Sequence, residues 1–280
     1  MAQGIEIPHD YIVNLPKSNY LIQLLDIAQK EVGKTIKLCD FDKYPEPNKA
    51  KGYGRYESEK QIIWIRLGMP SHVTEFVIAH ELGHSLQQVR GYPRVSIKDT
   101  LRMGTYPPVI IYIHALADKI SGLLLDPGAD ETARTYGLLT KQALEYLRDE
   151  DEKSIKSIVL PDFDGNELRC SIKNVLQNLA SGQWPPDDDS VSLLELARLA
   201  TVYATLCHRY DPHGLFGVLD DVYKRNLPTV RELGIKLADI AQIPKLQTAD
   251  GCKEIAKQLI KYLQIPQEAV GVKVADKWIS

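Results

Sequence analysis

The pentapeptide His80-Glu81-Leu82-Gly83-His84, set in an otherwise uncharged run, constrains this chain more than any other feature. On an α-helix its two imidazoles fall on one face, one turn apart, with Glu81 beside them. Two neutral ring nitrogens at that spacing can reach one zinc ion at about 2.0–2.1 Å, and the adjacent carboxylate is placed to take a proton from water. Val77-Ile78-Ala79 before the motif and Ser85-Leu86 after it carry no charge, as a helix buried on most sides requires. Gly83 costs about 1 kcal/mol relative to alanine in a helix interior, so its presence implies close packing there by a neighbouring helix or a substrate backbone. The helix is expected to begin near Ser71, after Gly68-Met69-Pro70, and to stop at Gly91, ahead of Tyr92-Pro93.

Composition narrows the class. The chain has 280 residues, 44% hydrophobic and 25% charged, enough for one large domain or two small ones of ordinary soluble type. A net charge of −3 and a pI near 6.2 give no basic footprint, so nucleic acid is not an expected partner. No basic-then-apolar leader opens the chain and no eighteen apolar residues run together, which implies a cytoplasmic protein with no membrane contact. Cys39, Cys170, Cys207 and Cys252 lack metal-ligand spacing and read as small buried hydrophobes in a reducing compartment.

Around the motif, residues 17–32 carry Leu21, Leu24, Leu25, Ile27 and Ala28 at helical spacing. Residues 34–38 and 61–67 read as strands, and the proline- and glycine-rich stretch 44–54 between them as a loop. Residues 53–56 are expected to pair with the second strand. The segment 91–108 is too irregular for a long helix and is expected to form a cleft wall or lid, or a packed connector. From residue 109 the pattern is helical almost to the end: 109–125, 127–139, 140–149, 167–181, 190–210, 227–241 and 248–263, with Ser190 as an N-cap.

Residues 77–86 match, position by position, the extended signature of the zincin metallopeptidases, and helix, strands, then motif helix is similar to zincin order. The chain therefore resembles a zincin of gluzincin type, with the small intracellular members described as IrrE-like or ImmA-like the nearest in kind. The resemblance covers about the first half and implies an α+β fold: a zincin-like metallopeptidase domain over 1–140, followed by a mainly α-helical region over 141–280, either a separate domain or an extension of the core. It also implies that an extended peptide adds along the strand nearest the motif helix.

A catalytic zinc usually has three protein ligands and an open position, so a third must be found. The metzincin pattern is excluded, because Gln87 and Arg90 stand where its glycine and third histidine belong. In gluzincins the third ligand is a glutamate, often in Glu-x-x-Ala-Asp; this chain has Asp126-Pro127-Gly128-Ala129-Asp130, with aspartate in the glutamate's place. The shorter side chain requires the helix to come closer by about one methylene. Asp126 also suits an N-cap ahead of Pro127, and its two oxygens allow both roles. Asp130, Glu131 and His114 are the other candidates. His114 lies in a second x-x-Ala-Asp context, on a helix whose packing Ile110, Ile111, Ile113, Leu116 and Ile120 already explain.

The expected chemistry is zinc-dependent hydrolysis of peptide bonds, with one zinc per chain on His80, His84 and Asp126 and Glu81 as general base on a peptide or protein substrate. An oxyanion donor is also needed; Tyr112, Tyr136, His208, Tyr210 and His213 are chemically suitable, and no spacing rule selects one. The clustered His208, Tyr210 and His213 equally suit the C-terminal end of a helix. The competing expectation is a catalytically silent zincin-like binding protein whose helical half makes a protein interface.

Overall fold

A computed structural model describes residues 12–15, 17–44, 52–98, 107–156, 188–209, 211, 214–265, 269–275 and 277–279, with only the backbone described for 107–112, 154 and 188–194. The chain is a mixed α+β protein with small sheets. It forms two compact units, each of two segments: Met1–Val89 with Ala129–Tyr146, and Arg90–Gly128 with Leu147–Ser280. These limits differ from the single cut at 140/141 read from the sequence.

The first unit opens with α1 (Asn19–Val32), whose N-cap Ser18 accepts the Leu21 N–H at 3.3 Å and which ends on Gly33 at φ 71°. That left-handed conformation is one glycine adopts without a Cβ clash. The first sheet contains β1 (Lys37–Asp40), β2 (Gly54–Glu57) and β3 (Ile62–Ile65) in the order β1-β3-β2, with β3 parallel to β1 and antiparallel to β2. All four β3 residues are buried, as expected of a central strand covered on both faces. One face of β3 sends Ile62 and Trp64 into a cluster with Cys39 and Phe41.

The motif helix α2 (Ser71–Val89) keeps the predicted start and ends two residues early. It packs on α1, and its Glu75 carboxylate takes the Ser18 N–H at the α1 N-terminus. The predicted pairing of residues 53–56 with the following strand appears as the β2–β3 ladder, with Arg55 opposite Trp64.

The long helix α3 (Pro107–Thr135) corrects one expectation. The sequence suggested two helices separated at Asp126-Pro127, but the helix continues through Pro127, so Asp126 is an interior residue and not an N-cap. Proline removes one intrahelical N–H and clashes with the preceding turn, at a cost of about 3 kcal/mol. Leu123, Leu124 and Leu125 before it and Ala129 and Ala133 after it are all buried, and that continuous packing outweighs the local defect.

The second unit contains a sheet that was not foreseen: β4 (Arg94–Ile97) lies within the supposedly irregular segment and pairs with β5 (Val270–Val274), which pairs with β6 (Lys277–Ile279). Ser121 of α3 bonds the β4 edge, its Oγ accepting the Val95 N–H at 2.9 Å. α4 (Lys141–Lys156) extends beyond the predicted end. The predicted helix 167–181 lies outside the described residues. α5 (Asp188–His208) begins before Ser190, which is therefore not its N-cap.

The expected helix 227–241 appears as α7 (Pro228–Ile240), preceded by the unanticipated α6 (Gly217–Asn226) and followed by the short α8 (Ile243–Leu246). α9 (Ala249–Tyr262) is capped by Thr248 and buries Cys252, Ile255, Ala256, Leu259 and Ile260, one stripe at helical spacing. Cys39 and Cys252 are buried as expected, and burial pushes the Cys252 thiol up to about 12; Cys207 is exposed in the last turn of α5, and Cys170 lies outside the described residues.

Within the first unit, α2 meets the C-terminal part of α3 at a glycine. A Cβ placed on Gly83 of α2 would lie 2.7 Å from Ala129 Cα and 3.2 Å from Ala129 O on α3. Backbone against backbone at that distance leaves no room for a methyl group. Gly83→Ala should therefore lower the denaturant midpoint: overpacking costs about 1–3 kcal/mol, against about 1 kcal/mol regained in helix propensity. An unchanged or raised midpoint would contradict the contact.

Candidate metal centre

Gly83 and Ala129 carry the same offsets of polar residues. His80 and His84 stand three before and one after Gly83; Asp126 and Asp130 stand three before and one after Ala129. The close approach of α2 to Ala129 thus brings a carboxylate-bearing helical face against the two imidazoles. Asp126 lies less than one turn before Ala129 on the same unbroken helix, so its place follows from the helix itself.

His80 Nδ1 lies 2.8 Å from Asp130 Oδ1, and Asp130 is buried. His84 Nδ1 lies 3.1 Å from Gln87 Oε1, one helical turn further along α2. A carboxylate and an amide oxygen only accept, so both Nδ1 atoms carry the proton and both Nε2 atoms present lone pairs. Those Nε2 atoms are 3.0 Å apart. Two ring nitrogens facing one another at that distance share a hydrogen bond when one carries a proton, and can bind a cation together when neither does.

His80, His84 and Asp126 each offer a ligand atom, and these atoms all lie within 4.8 Å of one another; all three residues are half-buried. Two imidazole nitrogens, one carboxylate oxygen and a supporting carboxylate behind the first imidazole are a donor set that would fit zinc. Gly122, one turn before Asp126, keeps that carboxylate's space, since a Cβ there would lie 3.1 Å from Asp126 Oδ2.

The other ligand candidates lie differently. Asp130 is the carboxylate partner of His80. Glu131 is exposed and paired with Arg134, whose Nε donates at 2.6 Å, and that hydrogen bond holds its carboxyl below the usual range. His114 is not among the converging residues.

Glu81 is buried, and its Oε2 accepts the Tyr56 N–H from β2 at 2.7 Å. β2 approaches α2 closely enough for this because residue 54 is glycine: a Cβ there would lie 2.6 Å from Val77 Cγ1 and 3.3 Å from Glu81 Cγ. β2 is an edge strand of its sheet, so the carboxylate is held by backbone from the sheet margin.

Of the suggested oxyanion donors, His208 is committed elsewhere: its Nε2 lies 3.0 Å from the Ala238 carbonyl in the last turn of α7, and burial lowers its pKa. It binds a neighbouring helix's C-terminal turn, a variant of the cap role that its sequence neighbourhood suggested. Tyr136 is half-buried at the end of α3. Tyr210, His213 and the Tyr112 side chain lie outside the described residues.

Sequence reasoning missed Gln87, Tyr56 and Gly54. Gln87 had a legible signal, three residues after His84 on the same helical face. The Tyr56 bond is a backbone contact across 25 residues and left no trace in composition or spacing.

Asp126→Asn keeps the side chain's shape and removes its charge. Zinc affinity, measured by competition with a chelator, should fall more than in Asp130→Asn, where loss of a supporting partner costs about 10–100-fold. An Asp126→Asn protein that binds zinc as tightly as the parent would remove Asp126 from the ligand set.

Compared with known proteins, the chain matches no family model, no curated protein and no solved structure.

Proposed function

We propose that this chain is a zinc-dependent metallopeptidase of zincin kind, with His80, His84 and Asp126 holding one zinc and Glu81 acting as general base. The observation that carries the reading is the convergence of one ligand atom each from His80, His84 and Asp126 within 4.8 Å of one another, with α2 and α3 in close contact at Gly83 and Ala129. Zinc in such a set supplies Lewis acidity, polarising a carbonyl and acidifying a water molecule.

The chain's own residues do the rest. Asp130 fixes the His80 ring and its tautomer, and Gln87 does the same for His84. The Tyr56 N–H fixes the Glu81 carboxylate, which retains lone-pair capacity for a proton after accepting one hydrogen bond. Glu81 takes the proton of the attacking water and returns it to the departing amine, so the C–N bond breaks without releasing an amide anion. An extended peptide lying along the β2 edge would bring its carbonyl past these groups.

A cytoplasmic setting and a protein partner for the helical half belong to the same reading. Among the described residues, no helix is long and apolar enough to cross a membrane. A competing reading, a metal-holding protein without hydrolysis, is favoured by the burial of Glu81 and its bond to Tyr56.

One variant separates the two. Glu81→Gln can still accept the Tyr56 N–H through its amide oxygen, so fold and zinc content should persist. Cleavage of a peptide library should fall by about 10²–10⁴-fold. Zinc-loaded parent protein that cleaves nothing, or a Glu81→Gln protein that cleaves as fast as the parent, would reject the peptidase reading.

A further inference from the structure

A substrate strand laid along the β2 edge would meet only the backbone groups that this edge turns outward, and the ladder register identifies them. The Arg66 N–H donates to the Tyr53 carbonyl at 3.0 Å, in the same register that sets Gly54 opposite Ile65, Arg55 opposite Trp64, Tyr56 opposite Ile63 and Glu57 opposite Ile62. Hydrogen-bonded and non-bonded pairs alternate along an antiparallel ladder. Tyr53, Arg55 and Glu57 therefore turn their N–H and C=O groups toward β3, and Gly54 and Tyr56 turn theirs to the outer edge. Among the described residues, no strand pairs with β2 on that side.

The two outward residues are not equivalent. The Tyr56 N–H already donates to Glu81 Oε2 at 2.7 Å, and both residues are buried. An incoming strand thus finds, at residue 56, a carboxylate where the ladder would offer a donor. A strand carbonyl set opposite Tyr56 would face that carboxylate acceptor against acceptor, a costly arrangement for groups out of water. Gly54 is the neighbouring outward residue, and its missing side chain is what lets Glu81 come this close, since a Cβ there would lie 3.3 Å from Glu81 Cγ.

We propose, resting on the peptidase reading, that Glu81 interrupts the substrate ladder and thereby sets the cleavage register. A substrate strand antiparallel to β2 pairs with Gly54, and the residue opposite Tyr56 is the one whose carbonyl is attacked. That carbonyl lacks its backbone donor and lies beside the carboxylate that deprotonates water. Water adds to its carbon, the bond to the next residue's nitrogen breaks, and Glu81 returns the proton to that nitrogen. The substrate residue opposite Gly54 is then the second after the cut bond, and its N–H meets the Gly54 carbonyl. The third turns its N–H away from β2.

The test has two arms, both using a peptide that the zinc-loaded parent chain cleaves. In the first, fluorescence anisotropy measures its binding to zinc-loaded Glu81→Ala and Glu81→Gln chains. The glutamine amide oxygen still accepts the Tyr56 N–H, whereas alanine releases that N–H to the peptide. The alanine variant should bind about tenfold more tightly, the equivalent of one hydrogen bond regained. The second arm uses the parent chain alone, so it stands even where Glu81→Ala fails to fold. One N-methyl group on the second residue after the cut bond should lower kcat/KM about tenfold, and one on the third should leave it close to the unmodified value. Equal or tighter binding by the glutamine variant, or equal effects of the two N-methyl groups, would overturn the register. A peptide library from which the zinc-loaded parent cleaves nothing would reject the peptidase reading itself, and the register with it.

Discussion

The candidate site depends on the contact between Gly83 and Ala129. Two helices meet there with no side chain larger than a methyl group between them, at a distance that excludes even a second methyl. Such proximity fixes both separation and register, because a helix displaced along its axis would set a larger residue against the glycine. The mid-helix glycine, unfavourable for α2 taken alone, is the condition for the approach.

Register then determines chemistry. With matched offsets on the two helices, His80 meets Asp130 and the pair His80 and His84 meets Asp126. An aspartate side chain is one methylene shorter than a glutamate, and the close helical crossing makes up that reach. The site is also constrained from the sheet, where Gly54 lets β2 come near enough for a backbone N–H to hold Glu81. Glycine at two unrelated positions thus serves one end, removing a Cβ where a polar group must be brought within hydrogen-bonding distance.

How much of this was legible in the sequence depends on the range of each interaction. The motif helix, the strand after the 44–54 loop and the meeting of the His80 and His84 rings depend on residues a few positions apart, so spacing revealed them. Asp126 was found through its local pattern, yet its setting was misread, because proline is a break signal locally and only the packing of Leu123 to Leu125 and Ala129 keeps α3 whole. The β4–β5–β6 sheet joins residues more than 170 positions apart. Its strands are three to five residues long, too short for alternation to stand out among helices. The two compact units, each made from two separate stretches of chain, are likewise a product of long-range packing.

X-ray absorption at the zinc edge of reconstituted protein tests most directly whether two imidazoles and the Asp126 carboxylate bind one metal ion. The expected spectrum shows one zinc with two imidazole nitrogens at about 2.0–2.1 Å, carboxylate or water oxygens at about 2.0–2.2 Å and no sulfur, and in Asp126→Asn the oxygen contribution should change while both imidazoles remain. A sulfur shell near about 2.3 Å, a single imidazole, or a spectrum unaltered by His80→Ala would contradict it.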